Sequence, residues 1–147
     1  MVRLVDANSM LEFSIVNCQN RESGDRSDVP DVIIAKISAA NNEFRWVKND
    51  VPFLVAEVRE IARWFDALST DIKPVKRELI LTGPVIGFSY KPVCEDLIKI
   101  TVHLNPEGMS EDLRKGGGRF LKFVMTGFQV RGIAASFSHE LSECSKV

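Results

Sequence analysis

The stretch VPFLVAEVREIARWFDALSTD, Val51 to Asp71, constrains the fold of this chain more than any other. Leu54, Val58, Ile61, Ala62, Phe65 and Leu68 recur there at helical spacing and form one apolar stripe, which predicts an amphipathic helix covering a core. Asp50 is the expected N-cap, and Pro52 is expected in the first turn, where its missing N–H costs nothing. Glu57, Arg59, Glu60, Arg63 and Asp66 fall outside the stripe, and Trp64 falls at its margin. The segments on either side have the two-residue period of strands, so what this helix covers is a sheet.

Before the helix, Leu11, Phe13 and Ile15 alternate with Glu12 and Ser14, and DVIIAKIS from Asp31 has the near-continuous apolar character of a central strand. Asn41-Asn42 predicts a tight hairpin turn, because asparagine tolerates positive φ, leading to a strand where Phe44 and Trp46 share a face. After the helix, RELILTG and PVIGFSYK are separated by Gly83-Pro84. In DLIKITVHLNP, Ile98, Ile100, Val102 and Leu104 lie on one face, and Lys99, Thr101 and His103 on a wetted one. RFLKFVMTG directs Leu121, Phe123 and Met125 inward, and a closing helix presents Val130, Ile133, Ala134, Phe137 and Leu141, with Gly132 weakening it by about 1 kcal/mol relative to alanine. Two long polar connections, CQNRESGDRSDVPD and PEGMSEDLRKGGGR, interrupt the pattern, and no sequence repeat is present. These elements predict a single α+β domain over residues 1–147. Its sheet is expected to be curved or two-layered, with about six or seven mostly antiparallel strands, a central crossover helix and a C-terminal helix.

Composition narrows the function. The 147 residues carry a net charge of -1, which gives no overall basic field for nucleic acid. Cys18, Cys94 and Cys144 are odd in number and far apart, so a disulfide framework is not expected and a reducing cytoplasm is the natural compartment. The N-terminal MVRLVDANSMLEF has no apolar signal core, and no run is long enough to predict a membrane span.

Chemistry-bearing motifs are sparse. His139 and Glu143 stand one helical turn apart, but no further His or Cys is placed by sequence to complete a zinc set. Cys94 lies beside Glu95 and Asp96, whose charges disfavour a thiolate, and nothing positions it against His103. There is no GxSxG elbow. LRKGGGRF is Gly-rich and basic, yet it lacks the GKS or GKT ending of a P-loop and precedes a strand instead of opening a helix, so a hairpin tip is expected. No catalytic residue, metal ligand or cofactor-binding residue is therefore assigned.

Taken in order, DVIIAKI, LVAEVREIARWFDAL, ELILTGPVIGFSY and LIKITVHLNPE, within Asp31 to Leu141, resemble the WapI-type immunity proteins. The resemblance implies a small cytoplasmic, non-catalytic protein that binds and neutralises a cognate toxin domain, such as a nuclease, without itself contacting nucleic acid or membrane. It assigns no binding residue. On physical grounds the expected partner-binding face is the outer side of the first helix, Glu57, Glu60, Trp64 and Asp66, an aromatic at the rim of carboxylates suited to a basic partner. Two other readings stay open: an accessory domain binding a different protein, and a ligand-binding or enzymatic domain with a polar pocket around His103, Tyr90 and a carboxylate.

Overall fold

The computed structural model describes residues 1–19, 32–70, 76–81, 86–104 and 119–145. Strands β1 (Val2–Val5), β2 (Ser9–Gln19), β3 (Val32–Asn41) and β4 (Arg45–Leu54) precede helix α1 (Val55–Leu68). Strands β5 (Glu78–Ile80), β6 (Ile86–Cys94), β7 (Leu97–Leu104) and β8 (Arg119–Thr126) precede helix α2 (Gly127–Ser145). Each group of four forms an antiparallel sheet in sequence order. The α+β class and both helices are as expected, while among the described residues the strands number eight and divide into two sheets. The additional strand, β1, has only four residues, of which Val2 and Leu4 are buried. Topology thus repeats, four strands and a helix twice, where sequence does not.

The two halves are joined by an exchange of helices. On α1, Phe65 packs its ring edge-on against Phe88 of β6, with centroids 5.3 Å apart. On α2, Phe137 meets Phe13 of β2 at 5.2 Å. Phe65 and Phe137 then stack on each other at 5.8 Å, so a chain of rings runs from one sheet through both helices to the other. Such ring pairs add about 0.5–1.5 kcal/mol each to their area burial. Among the described residues, all the buried apolar side chains belong to this one core.

Several local expectations are corrected. Asp50 does not cap α1: it sits within β4 at φ 55, in the left-handed region. Ala35 pairs with Val51 and Ile37 with Lys48, so β4 carries one extra residue, a bulge that explains the unusual φ. The bulge shifts the strand's phase, so that Trp46 is buried before it and Val51 and Phe53 after it. Pro52 is then a strand residue, tolerated because β4 is an edge strand and needs no N–H there. Leu54 ends the strand exposed, and Val55 takes its expected place in the apolar stripe. The turn after β3 also works differently from expectation. Asn41 does not adopt positive φ; its side-chain oxygen accepts the N–H groups of Glu43 and Phe44 at 2.8 and 2.9 Å. Helix α2 opens with a reciprocal cap: Thr126 Oγ1 accepts the Gln129 N–H at 3.2 Å, and Gln129 Oε1 accepts the Thr126 N–H at 2.8 Å. Gly132, exposed within α2, has nothing within 4 Å of where a Cβ would stand.

A second bulge overturns the expectation about cysteines. Ile15 pairs with Ala35 but Asn17 with Ile34, leaving one extra residue in β2. Without it, Cys18 would share the outer face of Glu12 and Ser14; with it, Cys18 turns inward beneath α2. There it forms a disulfide with Cys144, their Cα atoms 5.9 Å apart, while Cys94 is free and exposed. Wide spacing in sequence is therefore no guide to this pair, and it no longer argues for a reducing compartment.

The sheets also meet where the turns of the first sheet abut β8. Arg119 lies over the Phe44 ring at 4.9 Å, and Asp6 Oδ2 accepts the Val124 N–H at 3.0 Å. That bond, with another from Ala7, holds the Asp6 carboxyl below its ordinary value of 3.8. A depressed carboxyl pKa stabilises the fold above the unfolded-state value and ceases to do so as pH falls through the folded-state value. Asp6→Asn is expected to cost at most about 1 kcal/mol at pH 7, since the group is well solvated. The difference from wild type should shrink below about pH 4, as thermal unfolding at pH 7 and pH 3 will measure. A gap of equal size at both pH values would show that Asp6 does not hold this seam as a carboxylate.

Candidate functional site

The outer side of α1 does not present an aromatic anchor. Trp64 is 5 % exposed, contrary to its expected place at the margin. Its ring lies against Phe65, Phe88 and Tyr90, and its indole N–H donates to the Lys76 carbonyl at 3.2 Å. The helix covers more of its circumference than the stripe suggests, because the second sheet reaches around it. Glu57 is half-buried, and its Oε1 accepts the Leu54 N–H at 2.9 Å, a role that closes the helix start where Leu54 has no side-chain acceptor. Glu60 and Asp66 are exposed, but arginines alternate with them. An open groove of about 390 Å³ between the helices is lined by Asp66 together with Arg59, Arg63 and Arg131. Glu60 borders another cleft with Lys76 and Arg77. The helix face is therefore one of mixed charge.

The outer face of the second sheet assembles a different set. Strand alternation buries Phe88, Ile98, Ile100, Val102, Leu121 and Phe123 and leaves Ser89, Lys91, Lys99, Thr101, His103, Phe120, Lys122 and Val124 on the other side. His103 Nε2 lies 3.2 Å from Ser89 Oγ and its ring meets Phe120 edge-on at 4.9 Å. Burial lowers the His103 pKa, with Glu78 acting in the opposite direction, which favours the neutral imidazole. A neutral imidazole beside a serine is the start of a nucleophilic pair, but an orienting carboxylate hydrogen-bonded to the second ring nitrogen is missing among the described residues. Tyr90 does not join it: Tyr90 packs on Trp64 on the opposite, core-facing side of the sheet. The expected pocket around His103 and Tyr90 is not assembled.

The other chemical candidates are also kept apart. Cys94 pairs with Leu97 at one end of the β6–β7 ladder, and His103 pairs with Gly87 at the other. His139 Nε2 and Glu143 Oε1 are 3.7 Å apart on α2, while Cys144, next in sequence, is committed to its disulfide. Among the described residues no three His, Cys, Asp or Glu side chains converge as a ligand set. Gly83-Pro84 and the Gly-rich part of LRKGGGRF lie outside the described residues; Arg119 and Phe120, which follow, open β8. No helix among the described residues is long and apolar enough to cross a membrane.

Comparison with known proteins gives one match. No curated protein and no solved structure is significantly similar to the chain. The model of the immunity protein WapI-like family matches residues 3–144, extending the resemblance in the sequence to β1, β2 and the end of α2. A match over nearly the whole chain, on elements that include both sheets and both helices, means that this protein belongs to the WapI-like family of immunity proteins.

Proposed function

We propose that the protein is a non-catalytic immunity factor that binds a cognate toxin domain in the cytoplasm and blocks its action. The family match over residues 3–144 carries this reading. It is supported by a fold whose chemistry-bearing side chains are dispersed over separate faces, since neutralisation by binding needs only a stable scaffold and a complementary surface. Compartment follows from the function: an immunity factor acts where its toxin does. In a reducing cytoplasm the Cys18–Cys144 pair would spend part of its life as a dithiol.

The test is co-expression. A candidate toxin domain, sought in the reading frames that flank this chain's gene, is induced in a sensitive host with and without the protein, and the two are then mixed after purification. Growth should be rescued, and a complex should elute as one species in gel filtration. Persistent growth arrest in cells containing soluble protein, with no complex in vitro, would remove the immunity reading.

A further inference from the structure

The outer face of the second sheet carries an arrangement that folding alone does not favour. Lys91 of β6 is directly opposite Lys99 of β7, and Lys122 of β8 is diagonal to Lys99 through the pairs Lys99–Val124 and Thr101–Lys122. Like charges directly opposed across strands are destabilising. None of the three has an ion pair or hydrogen bond with another described residue. The nearby carboxylates stand at the border: Glu78 on the short strand β5, Glu95 and Asp96 in the turn beyond the ladder, and Asp6 at the β8 edge, where it is held by the Val124 N–H. Beside the lysines, along β8, Phe120 is 48 % and Val124 42 % exposed.

We propose that this face is the toxin-docking surface and that it takes an acidic protein surface, with Phe120 and Val124 giving apolar contact and Lys91, Lys99 and Lys122 the charge complementarity. The proposal rests on the immunity reading above and names the surface and the chemistry of the partner. An acidic partner would relieve the repulsion between the lysines, so part of the electrostatic strain of the free protein is released in the complex. Docking is face-on: the outward Val124 N–H on the β8 edge is already taken by Asp6, which blocks strand addition at that point. The sign of the partner's charge separates this surface from the carboxylates of α1, which would call for a basic one.

Binding of the toxin domain that the protein neutralises on co-expression, inactivated by substitution, is measured by calorimetry and stopped-flow at about 50 and about 300 mM salt, over which the Debye length shortens about 2.5-fold. Lys99→Glu/Lys122→Glu should slow association about tenfold, weaken affinity about 100-fold and reverse the salt dependence. Phe120→Ala should weaken affinity about 30-fold. Glu60→Lys/Asp66→Lys should stay within about twofold of wild type, as rim or non-contacting charges do. Lys99→Glu alone places a carboxylate opposite Lys91, so the free protein should melt higher while it binds less well, opposite movements that a merely structural role would not produce. Tight wild-type binding left unchanged by the lysine and Phe120 variants, or tightened by the charge reversals, would overturn this surface and leave the immunity reading standing. A dimer of the free protein that Lys99→Glu dissolves would assign the face to a second copy and overturn it too. Absence of any wild-type complex would defeat the immunity reading itself.

Discussion

Phe65→Ala is expected to lower the free energy of unfolding by about 3–5 kcal/mol. The side chain is 0 % exposed and touches Trp64 on its own helix, Phe88 in the second sheet and Phe137 on α2. With Trp64, it is one of two rings through which α1 contacts the second sheet, and it alone of the two also stacks on α2, so truncation leaves a cavity bounded by three aromatics that rigid sheets and helices cannot readily collapse. For a domain whose whole stability is about 5–15 kcal/mol, the variant is brought close to unfolding. Urea denaturation followed by far-UV circular dichroism should show the midpoint falling by roughly 2 M with an unchanged slope. A shift below about 0.5 M would mean that the two halves are not joined through this ring.

Opening the Cys18–Cys144 disulfide is expected to have an effect of similar size from a different source. The cysteines are 126 residues apart, so the bond closes a loop of almost the entire chain and ties β2 of the first sheet to the end of the last helix. In the chain-entropy view, closing so long a loop limits the unfolded ensemble by up to about 5 kcal/mol, with 2–4 typical of measured bridges. The comparison is between oxidised protein and protein reduced with a phosphine, in a Cys94→Ser background that removes the exposed free thiol. Reduction should lower the melting temperature by about 6–12 °C. Cys18→Ala/Cys144→Ala should reproduce that loss and become insensitive to reductant. If the oxidised and reduced forms melt together, the bridge does not constrain the folded chain.

Part of the candidate docking face is legible in the sequence. Lys99, Thr101 and His103 alternate so regularly with Ile98, Ile100 and Val102 that their exposure follows from the two-residue period alone. What the period cannot supply is which residue stands opposite which. The Lys91–Lys99 opposition and the diagonal to Lys122 depend on pairing register across two strand boundaries, one of which spans a 14-residue connection. The Thr126–Gln129 cap has a readable signal too, a threonine followed three residues later by glutamine at the start of an apolar-periodic run.

The order of residues alone determines the kind and inward face of most elements, because a buried face imposes its period on every residue of a strand or helix. The alternation of β7 and β8 and the stripe from Val58 to Leu68 are of this local kind. Features that depend on a single inserted residue or on a second layer are settled only by tertiary packing. One extra residue in β2 turns Cys18 toward Cys144, and one in β4 moves Asp50 and Pro52 from a helix start into an edge strand, since a bulge reverses the phase of everything beyond it. Trp64 is buried because the sheet that covers it comes from the other half of the chain, so the width of the apolar face on α1 is fixed by packing at long range and cannot be read from the helix's own period.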